Sequence, residues 1–237
     1  LVNLRPADKT RLEAQRRRIH IDPMPPSPTS ARILETARQL FNQRGYAATT
    51  QAAIAAAAGL TQGNLTYHFP AKRDLALALR DLARTEIQER DRAYAPGDVC
   101  VDYVRHVAFS MDLVWRYRFL LRDRGQLVGP GIEPGASPEM VADLARLDAL
   151  IHRFADEGLL RRGLGVDLDV LTRSLWIVSR YWLDHLDEFD DVDDVTWSHF
   201  ERGIAQHRAM LDPCLTAAGQ RRLDDAFRAL TQERQAS

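Results

Sequence analysis

Only two cysteines occur in the 237 residues, Cys100 and Cys214, far apart and in no CxxC or Cys/His cluster, which excludes a disulfide framework and a spaced-ligand zinc site. Two reduced structural thiols are expected. No stretch approaches the ~20 uninterrupted apolar residues of a membrane span, and the N-terminus lacks the apolar segment of a secretion signal. These absences point to a cytoplasmic protein with no membrane partner. GxSxG, HExxH and a phosphate-binding glycine loop are missing as well, so neither catalysis nor a cofactor or metal is expected. The acids from Asp187 to Asp194 lack the glycine and spacing of a calcium loop, and helix capping and solvation explain them better. Period-two alternation and internal repeats are also lacking, and the chain reads as all-α with nine or ten helices.

What is present is divided unevenly. Residues 1–80 carry 12 Lys or Arg against 5 Asp or Glu, a net of +7, while the whole chain has a formal charge of -1, leaving -8 for residues 81–237. A basic module on an acidic body suits a phosphate-facing end, because phosphate attraction supplies most non-specific affinity for DNA. A basic flexible tail is the other reading, since Arg5, Lys9, Arg11, Arg16, Arg17 and Arg18 precede the first fold signal.

The segment PMPPSPTS from Pro23 to Ser30 holds four prolines, which exclude a helix and mark a linker, so residues 1–28 read as an arm. Thr29 or Ser30 then caps a helix to about Arg44, with Ile33, Leu34, Ala37, Leu40 and Phe41 on one face and Gly45 beyond its end. Thr49 and Thr50 offer caps for the run Gln51 to Ala58, stopped by Gly59. Thr61 caps the next, in which Leu65 and Phe69 share a face. A longer helix from Lys72 to about Tyr94 follows, ending before Pro96-Gly97. Beyond it the spacing predicts helices from Asp98 to about Leu121, Glu139 to Glu157, Asp167 or Asp169 to about Phe189, Val195 to Met210, and a last one to about Glu233. The Gly/Pro-rich stretch Gly129 to Pro138 is expected to be a loop.

A short helix, a Gly-containing turn and a second helix form the unit that lays a recognition helix in the DNA major groove. With Leu65 and Phe69 turned to the core, Gly63 and Tyr67 lie opposite, flanked by Gln62, Asn64 and Thr66. Amide, hydroxyl and phenol groups hydrogen-bond base edges or phosphates. Gly63 costs about 1 kcal/mol in a helix relative to Ala, which close approach to a nucleic-acid backbone would compensate. A polar first turn could equally be solvated surface.

The string from Arg32 to Leu75, RILETARQLFNQRGYAATTQAAIAAAAGLTQGNLTYHFPAKRDL, resembles the DNA-binding domain of the TetR family. It carries Ala37, Leu40, Phe41, Gly45 and Tyr46, the paired Thr49 and Thr50, the Ile54, Ala55, Ala58, Gly59 turn and the closing His68, Phe69 and Lys72. The resemblance implies that Thr61, Gln62, Gly63 and Asn64 enter the groove, that Tyr67, His68 and Lys72 meet phosphates, and that Thr50 is a further contact. Thr66 stands where many relatives have tyrosine, so its phosphate contact is weaker or passes to Tyr67. His68 could instead be a packing residue hydrogen-bonded within the domain.

The resemblance also implies a dimer and a small-molecule effector, with the palindromic operator that a two-fold protein requires. The domains are then the arm 1–28, a helix-turn-helix domain 29–79 and a helical regulatory and dimerisation domain 80–237. Dimerisation would use Leu171, Leu175, Val178, Trp182, Trp197, Phe200 and Ile204, although these stripes could be intramolecular core. Candidate pocket walls are Phe109, Trp115, Tyr117, Phe119, Phe154, Trp176 and Tyr181, because small-molecule sites are mostly apolar and aromatic. The expected function is a DNA-binding regulator, a repressor released by its effector. The rival is a helical ligand-binding or protein-interaction adaptor without specific DNA binding, against which the polar Gln62 to Lys72 surface argues.

Overall fold

A computed structural model describes residues 27–163, 165–189 and 196–235. Residues 1–26 of the expected arm 1–28, most of the acidic run and the expected helix start at Val195 lie outside the described residues. The described residues form eleven α-helices and no strand. In chain order they are α1 (Pro28–Arg44), α2 (Gln51–Ala57), α3 (Gln62–His68), α4 (Lys72–Ala93), α5 (Val99–Arg116) and α6 (Phe119–Arg122). Then come α7 (Arg124–Leu127), α8 (Pro138–Asp156), α9 (Leu168–Phe189), α10 (Trp197–Leu211) and α11 (Ala217–Gln235), with a 3-10 turn at Asp212–Cys214. The all-α expectation holds. None of the described helices is long and apolar enough to cross a membrane.

Local chemistry sets most boundaries. Thr50, Thr61, Asp98 and Ser137 each accept a hydrogen bond from a backbone N–H of the first turn they precede, satisfying a donor the helix cannot. Two expectations need correcting. The first helix begins at Pro28 rather than near Ser30, capped by Ser27, because proline at the first helical position loses only an N–H that has no partner there. The helix expected to reach Leu121 ends at Arg116, where Tyr117 leaves helical geometry at φ -118°, and the short α6 and α7 follow.

Burial divides into two clusters. One joins α1 to α4 through Ile33, Phe41, Ile54, Leu65, Leu75 and Leu79 and also takes in Tyr117, Phe119 and Leu127 from beyond α5. The other is the bundle of α5, α8, α9, α10 and α11, centred on Tyr103, Met111, Leu147, Phe154, Leu175 and Leu211. The later turns of helix α4 reach α5 and α8 through the ion pairs Glu86–Arg116, Arg90–Asp143 and Asp91–Arg146.

Candidate DNA-binding surface and ligand cavity

Helices α2 and α3 are joined by a turn in which Gly59 takes φ 66°, a left-handed conformation that a side chain would strain. Leu65 is fully buried and anchors α3, which leaves Thr61, Gln62, Gly63, Asn64, Thr66 and Tyr67 exposed along its other side. Tyr67 is 85% exposed, with no contact that its fold requires beyond the edge of His68. A methyl group at Gly63 would meet nothing within 4 Å, so packing within the chain does not demand glycine there.

The hydroxyls have intramolecular partners too. Thr50 and Thr61 Oγ1 accept from Ala53 and Asn64 N–H at 3.1 and 3.2 Å, and Thr66 donates to the Gln62 carbonyl at 2.8 Å. His68 Nδ1 lies 3.2 Å from Ser30 Oγ, so its ring ties the end of α3 to the start of α1, the packing role that the sequence had left open.

Lys72, expected at phosphates, has its partners within the chain here. Its ammonium donates to the carbonyls of Tyr46, Ala47 and Thr49 at 2.8, 3.4 and 3.0 Å and sits 4.3 Å over the Tyr46 ring. Three N–H groups meet three carbonyls, so the charge neutralises the dipoles of the loop between α1 and α2. Sequence position could not show this, because the acceptors are more than twenty residues away.

The expected pocket aromatics scatter. A cavity of about 350 Å³ opens between α4, α5, the loop 129–138, α8 and α9. Of the seven, only Tyr117 and Trp176 line it. Phe119 is fully buried against Phe41 at 5.1 Å, and Phe154 against Tyr103 at 5.6 Å, so both are packed core. Phe109 lies under the Arg90 guanidinium, Trp115 under Arg118, and Tyr181 is half exposed on the outside of α9. Apolar wall comes instead from Ile87, Leu113, Val114, Leu120, Leu121 and Met140, which no aromatic pattern would flag.

The expected dimer stripe turns inward. Leu171, Leu175, Phe200 and Ile204 are buried in the bundle, with Val178, Trp182 and Trp197 packed against it. Trp182 donates to the His199 carbonyl at 2.9 Å, and a Cβ at Gly203 would fall 2.5 Å from its ring, so α9 and α10 approach closely within one chain. The opposite side of α9 exposes Val170, Ile177 and Tyr181 at 60, 48 and 50%. Ala205 and Ala209 are exposed on α10.

Segment 116–127 touches both sites by turns. Arg116 and Asn42 meet where the Asn42 amide donates to the Arg116 carbonyl at 2.9 Å, and the Phe119 N–H returns a bond to the Asn42 oxygen at 3.2 Å. Arg122 donates to the Phe41 and Asn42 carbonyls at 2.7 and 2.9 Å, and Asp123 accepts from the Tyr46 N–H at 2.7 Å. The interleaved Tyr117, Leu120, Leu121 and Arg124 face the cavity. Tyr117 donates to Glu86 of α4 at 2.7 Å; burial and that carboxylate push its phenol above the ordinary range. Arg84, also on α4, reaches Glu139 at 2.8 Å, while Arg73 holds the Leu127 carbonyl at 2.9 Å.

Asp148, His152 and Asp169 place ligand atoms within 4.8 Å of one another at the surface, but His152 Nδ1 already lies 3.0 Å from the Asp148 carbonyl.

Known proteins share this arrangement. Residues 33–79 match the family model "Bacterial regulatory proteins, tetR family", and residues 84–223 match "Bacterial transcriptional repressor". The chain is 35% identical over 121 residues to the HTH-type transcriptional regulator AcrR of Shigella flexneri, covering 48% of this chain and 51% of that protein. The match therefore spans about half the length of that relative. A TetR-family regulator from Marinobacter aquaeolei VT8 superposes with a TM-score of 0.70 at 22% identity, covering 86% of this chain and 98% of the other. A gamma-butyrolactone receptor described as ArpA-like gives 0.65 at 20% identity, covering 86 and 97%. At such identities the structural likeness concerns the fold.

Proposed function

Because the chain belongs to the TetR family of bacterial regulators, we propose that it is a homodimeric repressor that binds a palindromic operator and releases it when a small molecule fills the cavity. It works in the cytoplasm by binding rather than catalysis. The observation that carries this reading is the alternation along 116–127, where residues holding the α1–α2 loop interleave with residues forming the cavity wall. A ligand that favours a wider cavity shifts Tyr117, Leu120 and Leu121, and the same turn carries Arg122 and Asp123 against the DNA-binding unit. Differential affinity for the two arrangements is what a ligand needs to move the equilibrium.

Gln62, Asn64 and Tyr67 contact DNA in this reading, with Thr50, Thr61, Thr66 and His68 flanking them, while Lys72 shapes the loop behind. Two copies join through the outer stripe of α9, Val170, Ile177 and Tyr181, beside the small residues of α10, an isologous surface that completes a four-helix interface. The test is selection of genomic fragments by the purified protein, repeated with Gln62→Ala and Tyr67→Ala. Enrichment of one palindrome, weakened by about 1–3 kcal/mol in each variant, is expected. Retention of no sequence above bulk DNA at low salt, by protein free of added ligand, overturns the regulator reading in favour of the adaptor.

A further inference from the structure

The cavity wall is more selective than its apolar area alone suggests. Four arginines line it, Arg80, Arg84, Arg124 and Arg180, together with Glu133, Glu139 and Asp143. Most of these charges are already matched. Arg80 pairs with Asp81 at 2.5 Å and Arg84 with Glu139 at 2.8 Å. Asp143 accepts from Ser110 and from the Trp176 indole at 3.1 and 3.2 Å, and Arg90 lies 3.6 Å from it.

Arg124, Arg180 and the exposed Glu133 are the exceptions; neither arginine has a carboxylate within 4 Å among the described residues. Arg180 Nη2 is 3.2 Å from Met140 Sδ, and Arg124 Nη1 is 3.9 Å from the same sulfur, which is a weak acceptor. Arg124 otherwise donates to the Glu133 carbonyl at 3.4 Å and to the Gly135 carbonyl. Arg180 Nε is buried without any hydrogen-bond partner. Burial disfavours the Arg180 cation despite the neighbouring Tyr181 hydroxyl and the charge of Asp143, with Arg124 adding to the cost, and an adjoining carboxylate would oppose it. A buried guanidinium without an anion is costly, and its planar fork suits a carboxylate bidentately.

Building on the ligand-responsive reading of this cavity, we propose that its ligand is a small amphipathic carboxylate, whose acid group meets Arg180 and Arg124 at Met140. Its apolar body lies along Leu113, Leu120, Leu121 and Trp176. A cation would find only the exposed Glu133 open to it, since Asp143 already accepts two hydrogen bonds, and a neutral ligand would leave both guanidiniums without a carboxylate.

The purified full chain is titrated by calorimetry with octanoate and 1-naphthoate, each beside its neutral amide, and with octylammonium. The proteins are wild type, Arg180→Met, Arg124→Gln and the double variant, with helical circular dichroism checking that each is folded. Wild type is expected to bind each carboxylate at least about tenfold tighter than its amide, the size of one charge-assisted hydrogen bond. Each single variant narrows that ratio and the double variant brings it near one. Equal binding of acid and amide, preference for octylammonium, no binding of either acid at millimolar concentration, or a ratio that survives the double substitution overturns the proposal. Retention of operator DNA by the same preparation is read separately. Protein that binds DNA yet shows no acid preference sinks this inference alone, whereas protein that prefers acids but binds no DNA sinks the regulator reading alone.

Discussion

The carboxylate of Asp123 accepts the backbone N–H of Tyr46 at 2.7 Å, joining the turn after α5 to the loop that presents α2 and α3. Asp123 is 7% exposed, so the bond is shielded from competing water. Its neighbour Arg124 lines the cavity, so a single peptide bond separates a residue that holds the loop from one that lines the cavity.

Asp123→Ala is expected to lower the unfolding free energy by about 1–3 kcal/mol, because the Tyr46 N–H and Arg122 lose a partner in a half-buried place. Operator affinity without ligand changes less than the ligand's power to weaken it. Chemical denaturation and operator binding with and without ligand check both. Full ligand response in the variant would place the coupling elsewhere.

Lys72→Ala separates a structural lysine from a phosphate-binding one. With its ammonium on three backbone carbonyls, the variant is expected to lose about 1–2 kcal/mol of stability and to keep its salt dependence of DNA binding. A phosphate contact would instead lower the slope of log K against log salt by about 0.9. Binding measured across a salt series distinguishes them.

Gly63→Ala is expected to move stability and function in opposite directions. The added methyl meets open space and improves helix propensity by up to about 1 kcal/mol, so the melting temperature rises. If the position approaches the DNA backbone, operator affinity falls at the same time. Unchanged operator binding in the stabilised variant would remove Gly63 from the interface.

Ile177→Asp and Ala205→Glu place charges on the outer side of α9 and α10 without touching the bundle core. Both are expected to shift the protein toward monomer in sedimentation velocity and to weaken binding to a palindrome far more than to a half-site. A dimer that persists in both would move the interface to another surface.

Acid is expected to destabilise the C-terminal bundle. His207 is enclosed between Tyr103 at 2.8 Å and Ser179 at 2.9 Å, and burial pushes its imidazole down to about 3. His106, against Asp143, is pushed down to about 4, again mainly by burial. A depressed imidazole means that the unfolded chain binds more protons below its ordinary value of 6.5. The stability these residues contribute is therefore complete above pH 6.5 and lost as pH falls through 6 and 5 toward 4. The loss has a limiting slope of about 1.4 kcal/mol per pH unit for each histidine. Denaturation midpoints of wild type and His207→Gln from pH 7.5 to 4.5 check this, the variant losing part of the slope.

Some of this is legible in the chain itself. Helix positions, the caps Thr50 and Thr61, the Gly59 turn and the exposed side of α3 depend on residues three or four apart, and such spacings are written directly in the chain. The composition of the helix-turn-helix unit is local for the same reason. Charge asymmetry likewise needs only counting.

Tertiary structure alone decided which side of each long helix serves its own chain. Amphipathic stripes of α9 and α10 look equally suited to a partner or to a core, and only their packing on α5 and α8 sent Leu175, Trp182 and Phe200 inward. Lys72, Asp123 and Arg180 are read the same way. A charged side chain's role is set by which opposite charges and carbonyls lie within about 4 Å. For these three the decisive neighbours, or for Arg180 the lack of a carboxylate within 4 Å among the described residues, come from segments brought together only by folding.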